Sequence, residues 1–307
     1  MKVLLVDVDS KIPNLPLMKL STYYQELGDE IGFNVSDPDI IYASVIFSKN
    51  HYLADSLRFL YPDTEMHIGG TGFDLTVKLP INDNIAPDYA LYPECNYSLG
   101  FTTRGCSRNC SFCVVPEKEG KLHIAQHPEE FHNPAFNKIM LLDNNILALK
   151  DWFFKVTDWI LDNKLQVDFC QGLDIRLIDE EIAARLKELK SWKTWKFAFD
   201  STIYEDSVIS GIQMLKDAGI DTKTGTMFYV YLDGDYQFND ALYRCLVLKR
   251  HRAGSYLMIN QYAKRTPRMT ALKRWCRPWI YWSSDFCDYN INTISEKQAR
   301  LDISGGF

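Results

Sequence analysis

Residues 138–169, KIMLLDNNILALKDWFFKVTDWILDNKLQVDF, decide the fold. Lys138–Leu142 is a short apolar run of strand type, residues 151–163 carry apolar side chains at helical spacing, and Gln166–Phe169 returns to a strand pattern. Strand, helix and strand within roughly 30 residues make a βαβ unit, whose two strands lie parallel in one sheet.

The alternation continues in both directions. Further candidate strands lie at Ser98–Thr103, Thr194–Phe199, Thr226–Tyr231 and Tyr256–Ile259, with helical patterns near 179–190, 206–218 and 238–251. About six such units predict a partial, TIM-like (β/α)6 barrel with its chemistry at the carboxyl ends of the strands. Upstream, KVLLV at 2–6 reads as a strand and Pro16–Leu27 as a helix stopped by Gly28. Ile40–Phe47 (strand), Tyr52–Leu60 (helix) and Met66–Ile68 (strand) then run into Gly69-Gly70-Thr71-Gly72, which makes a small Rossmann-like unit. The expected class is therefore α/β: a Rossmann-like domain at 1–80, a linker at 81–96, the barrel at 97–262 and an extension at 263–307. That extension is basic and aromatic, with Lys264, Arg265, Arg268, Lys273, Arg274, Trp275 and Arg277.

A net charge of −6 gives no general footprint of nucleic-acid binding, although a local basic patch is compatible with it. The opening MKVLLVDVDS is too short and too broken by Asp7 and Asp9 for a signal core, and no run of about 20 apolar residues follows. A cytoplasmic protein without a membrane span is expected, in a compartment that keeps thiols reduced.

Three of the eight cysteines, Cys106, Cys110 and Cys113, fall within eight residues as CxxxCxxC, directly after the first candidate barrel strand. Three thiolates on one loop can grip one metal centre. Four would close an iron–sulfur cluster, whereas three leave one iron open to a substrate or cofactor. The alternative is a structural zinc site completed by Cys95 or His123. In that case the chain is a non-catalytic binding module whose Lys273, Arg274, Trp275 and Arg277 contact nucleic acid.

The triplet, with Phe112 before its last cysteine and an Arg-Gly turn before its first, resembles the signature of the radical S-adenosylmethionine (SAM) enzymes. DVDSKIPNLPLMKLS, IGGTG, PDYALYP, GFTTRGC, VVPEKEG, LLDNN and QGLDIRLIDEE extend the resemblance along most of the chain, to one subfamily familiar as a sequence pattern rather than by a reaction. The resemblance implies a 4Fe-4S cluster on Cys106, Cys110 and Cys113, S-adenosyl-L-methionine as its partner, and release of a 5′-deoxyadenosyl radical. It also implies a one-electron reductant such as flavodoxin or ferredoxin, and leaves the substrate open among RNA, peptide and small molecule. The aromatic Phe112 counts with the cofactor-binding residues. Asp143, Asn144 and Asn145, ending a strand, stand where such enzymes receive the SAM amino group, or else cap the following helix. Gln171, Asp174 and Arg176 are placed to meet the ribose and the SAM carboxylate, or else are structural, with Asp174 and Arg176 pairing with neighbouring loops. Asp200 stands at the same level on the next strand, with a helix cap as its structural reading. The Met227, Tyr229 and Tyr231 stripe reads as barrel core, and Cys170 as a buried inert thiol. The amino-terminal unit stands where related enzymes carry a cobalamin domain. It is about two helices short and lacks Asp-x-His-x-x-Gly, so cobalamin is not expected and the unit reads as a degenerate copy. His67 reads as a core or surface histidine.

Overall fold

Alternation of apolar side chains at the start of the chain builds the first layer. In the computed structural model of the protein, which describes residues 1–289, β1 (Lys2–Asp7) sends Val3 and Leu5 to one face and Leu4 to the other. The first face is covered by α1 (Leu15–Glu26), through Leu17, Leu20 and Tyr24. Asn14 caps this helix by accepting from the Leu17 N–H at 3.2 Å, and Gly28, at φ +80°, ends it in the left-handed conformation that glycine adopts without strain. There follow β2 (Glu30–Gly32), β3 (Ile40–Ser44), α2 (His51–Leu60) and β4 (Glu65–Gly69), and the four strands pair in parallel in the order β2-β1-β3-β4. The short β2 had no counterpart in the expected elements.

The glycines after β4 serve the chain's own packing. A Cβ on Gly70, whose φ is +105°, would meet the Val45 carbonyl oxygen at 2.2 Å, and one on Gly72 would meet the Phe47 backbone at 2.5 Å. The expected linker at 81–96 is strapped along α1. Ser21 and Gln25 donate to Asp88 at 2.7 and 2.9 Å, Thr22 to the Ala86 carbonyl at 2.7 Å, and Lys19 to Asp83 at 2.8 Å. Burial lowers the Lys19 pKa.

The described residues fall into two compact units: residues 1–171 with 189–192, and residues 172–188 with 193–289. The division falls inside the stretch expected as a barrel. Besides the first sheet, the first unit holds β5 (Ser98–Gly100), β6 (Thr103–Arg104), α3 (Val115–Glu119), β7 (His123–Ile124), β8 (Lys138–Leu141), α4 (Lys150–Asp162) and β9 (Gln166–Phe169). The second unit opens on α5 (Glu180–Glu188); β10 (Lys190–Ser191) belongs to the first and completes the parallel sheet β10-β9-β8-β5. Phe153, Val156 and Ile160 of α4 are fully buried, the helical stripe read from the sequence.

The second unit continues with β11 (Trp195–Ala198), α6 (Glu205–Asp217), α7 (Thr222–Gly225), β12 (Thr226–Leu232), α8 (Phe238–Arg250), β13 (Gly254–Ile259), α9 (Pro267–Trp275) and α10 (Pro278–Tyr281). Its sheet is β11-β12-β13, again parallel. On β12 the fully packed face is Phe228, Val230 and Leu232, while Met227, Tyr229 and Tyr231 lie on the less buried face, which corrects their reading as core. Arg244 of α8 is buried and donates to the Phe199 and Tyr231 carbonyls at 2.7 and 3.0 Å, tying the carboxyl ends of β11 and β12 together. Met269, Leu272 and Trp275 form the buried stripe of α9, so Trp275, expected as a nucleic-acid contact under the zinc alternative, is core. Its indole N–H donates to the Ser284 carbonyl at 3.0 Å. Residues 290–307 of the expected extension lie outside the described residues. No helix among the described residues is long and apolar enough to cross a membrane.

Candidate cofactor site

The cysteine loop is inserted in a hairpin. Thr103 and Arg104 of β6 pair antiparallel with Ile124 and His123 of β7, and the intervening residues carry Cys106, Cys110, Cys113 and α3. Its entry is pinned from β8. Asp143, buried at the end of that strand, accepts from the Thr102 N–H at 3.2 Å, the Thr102 hydroxyl at 2.7 Å, the Thr103 hydroxyl at 2.6 Å and the Thr103 N–H. Burial pushes the Asp143 pKa up, and the threonine donors pull against it. Asp143 is thus joined to the strand that leads into the loop.

A second carboxylate ties the two ends of the loop together. Glu119, at the end of α3, accepts from the Gly105 N–H at 3.0 Å and from the Asn144 side-chain amide at 2.8 Å, with Arg104 Nε at 3.5 Å. The Arg104 guanidinium lies 4.0 Å from the centroid of the Phe101 ring. Gly105 adopts φ +74°, and a Cβ there would come within 2.4 Å of the Lys121 carbonyl oxygen. Lys118 of α3 donates to the hydroxyl of Thr71, in the glycine turn after β4. Glu119, Thr102 and Thr103 were not singled out in the sequence. Their partners are set by closure of the hairpin, which no local pattern announces.

None of the three cysteines of the loop is in a disulfide; Cys106 and Cys110 are half-buried and Cys113 is exposed. Cys106 Sγ accepts from the Arg108 N–H at 3.3 Å and from Asn145 Nδ2 at 3.8 Å. Asn145 is buried, and its Oδ1 has no hydrogen-bond partner. Phe112 is exposed beside Cys113. Among the described residues no three His, Cys, Asp or Glu side chains stand ready-made as a metal site. The donor set nevertheless fits an iron–sulfur cluster: three reduced thiols on one loop, with N–H groups aimed at a ligand sulfur, the interaction that tunes such centres. Binding of a metal group is itself what draws such ligands together. Of the candidate fourth zinc ligands, the Cys95 thiol is buried and donates to the Tyr97 carbonyl at 3.1 Å, and His123 Nδ1 lies 2.9 Å from the Lys121 carbonyl.

The remaining expected residues occupy varied settings. Gln171 is exposed at the end of the first unit. Cys170 is partly buried against Leu99, Met140 and Leu142. His67 is an exposed histidine, stacked on Tyr42 at 5.0 Å and 2.9 Å from Glu65. In the second unit, Arg176 makes a two-pronged pair with Asp174, at 2.6 and 2.9 Å, and lies 4.3 Å from the Tyr204 ring centroid. Asp174 also caps the turn that follows it, by accepting from the Arg176 N–H at 3.2 Å. Asp200 accepts from the Tyr231 N–H at 3.0 Å across the carboxyl ends of β11 and β12. Burial pushes its pKa up, against that bond and the charges of Arg244 and Arg176. No family model matches the chain, and no curated protein matches it either.

Proposed function

We propose that the protein is a radical SAM enzyme, with Cys106, Cys110 and Cys113 holding a 4Fe-4S cluster and the end of β8 receiving S-adenosyl-L-methionine. The observation that carries this reading is the environment of Cys106. Its sulfur faces the amide of Asn145, whose carbonyl oxygen is buried without a partner. A buried acceptor left unmade costs about 1–3 kcal/mol, so a site that holds one is built to take a donor. The ammonium of SAM is such a donor, with three N–H groups.

When bound, the cluster supplies the electron that cleaves SAM to methionine and a 5′-deoxyadenosyl radical. The protein's part is binding and orientation. Asp143 and Glu119 hold the two sides of the cysteine loop, through Thr102–Thr103 and through Gly105, so that the thiols are carried on a braced hairpin rather than a free loop. Asn144 is committed to Glu119, which leaves Asn145 as the acceptor of the Asp143-Asn144-Asn145 stretch that faces the thiols. Six parallel strands, β5, β8, β9, β11, β12 and β13, with α4, α6 and α8 among their connections, are the elements a partial (β/α)6 barrel requires. Asp174, Arg176 and Asp200, which follow strands, are the proposed ribose and carboxylate contacts. A cytoplasmic one-electron donor of the flavodoxin or ferredoxin kind completes the scheme.

The test is anaerobic reconstitution with iron and sulfide, reduction by dithionite, addition of SAM and measurement of 5′-deoxyadenosine, beside a Cys110→Ala control. The expected result is 5′-deoxyadenosine from the unaltered chain alone. Stoichiometric zinc, with no iron or sulfide retained, would replace the enzyme by the zinc-stabilised module.

A further inference from the structure

The segment after β13 reverses the charge balance of the chain. From Gln261 to Ile280 there are six Lys or Arg and no Asp or Glu, in a protein of net charge −6. Asn260 sets its departure: its side chain donates to Asp233 at 2.7 Å and accepts from the Tyr262 N–H at 3.0 Å. The segment therefore leaves the carboxyl edge of the parallel sheet β11-β12-β13, the edge at which α/β folds take their ligands.

Arg268 pairs with Asp235, with Nε to Oδ1 at 2.7 Å, and lies 4.7 Å from the Phe238 ring centroid. Others crowd one another. Lys273, which sits 5.6 Å from the Tyr256 ring centroid, has its pKa lowered first by burial and then by the charges of Arg265 and Arg277. Lys264 and Arg265 are exposed. Two large rings of the same segment are exposed: Tyr262, at 76 %, and Trp279, at 52 %, with the Arg277 guanidinium 5.8 Å from the Trp279 ring centroid.

A segment with six cations and no carboxylate fits a polyanion, and the rings narrow the choice. An acidic peptide would use the charges and leave the rings idle. A duplex hides the faces of its bases, whereas a single strand offers phosphates to the cations and base faces to the rings. We propose that the segment from Tyr262 to Trp279 binds single-stranded nucleic acid, with Arg265, Lys273 and Arg277 on the phosphates and Tyr262 and Trp279 on the bases. The proposal goes beyond the reading of the cysteine loop and does not depend on it.

The test uses the full chain without reconstitution and a fluorescein-labelled 15-nucleotide oligouridine, followed by fluorescence anisotropy between 50 and 200 mM salt. Three phosphate contacts predict a slope of log affinity against log salt of about −2, at roughly 0.7 per contact. Arg265→Glu with Arg277→Glu should bring the slope to about −0.7. Tyr262→Ala and Trp279→Ala should each weaken binding by roughly 5- to 150-fold and leave the slope unchanged, since stacking is not a salt-linked contact. Tyr262 is the safer of the two ring substitutions, because it lies on an exposed loop. No binding at 50 mM salt, or binding untouched by both sets of variants, would overturn the proposal. So would a polyglutamate peptide that binds as tightly as the RNA while the ring variants behave like the unaltered protein.

Discussion

Replacing Asp143 by alanine removes one carboxylate and strands four donors at once. Two are the backbone N–H groups of Thr102 and Thr103, which cannot turn elsewhere; the other two are hydroxyls on threonines that are themselves fully buried. At about 1–3 kcal/mol for each buried N–H left unmade, the two backbone groups alone predict a loss of about 2–6 kcal/mol. A domain of ordinary stability, about 5–15 kcal/mol, tolerates the lower part of that range and stays folded. Asp143→Asn is the milder case. Its remaining oxygen still accepts from the Thr103 groups and the Thr102 hydroxyl, while its amide turns a donor toward the Thr102 N–H, so a loss of about 1–3 kcal/mol follows. Urea unfolding followed by tryptophan fluorescence measures the loss, and the rate of Cys106 modification by a thiol reagent, in a variant lacking Cys110 and Cys113, measures release of the loop. The order expected for both is Asp143→Ala above Asp143→Asn above the unaltered chain. A loss below about 1 kcal/mol for Asp143→Ala, with an unchanged modification rate, would refute the clamp.

Arg244→Ala should cost about 3–5 kcal/mol, since it deletes a buried cation and leaves the Phe199 and Tyr231 carbonyls without their donor; thermal unfolding reads the loss, and Arg244→Lys should recover only part of it. Acid stability should depend on Asp235, whose pKa the Arg268 and Thr266 donors hold down at about 2. Because the folded value lies below the unfolded one, the contribution is present above about pH 4 and is lost as pH falls toward about 2. Asp235→Asn should flatten an acid titration of tryptophan fluorescence in that window, and an unchanged curve would show that the pair contributes nothing.

How much of this was legible in the sequence depends on the range of the interaction. Strands β8, β9, β11, β12 and β13 lie within two residues of their expected bounds, because a run such as Ile139-Met-Leu141 must be buried wherever the chain goes. The three-residue β2, Glu30-Ile-Gly32, carries no such run and is held by pairing to β1. Asp174 and Arg176 stand two residues apart; the structural reading open from sequence was pairing with neighbouring loops, and the structure pairs them with each other instead. Trp275 could have been placed correctly, since Met269, Leu272 and Trp275 recur every three residues on one helix face.

The bracing of the cysteine loop belongs to a different class. Asp143 lies 40 residues from Thr103 in sequence, and Glu119 lies 25 from Asn144, so neither partnership has a local signature. The sequence does mark the ends of these contacts, with a polar Asp-Asn-Asn after an apolar strand and a glycine before the first cysteine. What it leaves open is the division of labour among them. Asp143 spends its oxygens on Thr102 and Thr103 and Asn144 spends its amide on Glu119, whereas Asn145 keeps a buried oxygen without a partner beside Cys106. Two of three adjacent polar residues thus build the site and the third faces it. Under the proposed function, Asn145→Ala should weaken SAM binding in the reconstituted protein with little loss of stability, because an acceptor that satisfies nothing in the folded chain is no loss to it. Asp143→Ala should do the reverse first, loosening the fold before it touches affinity.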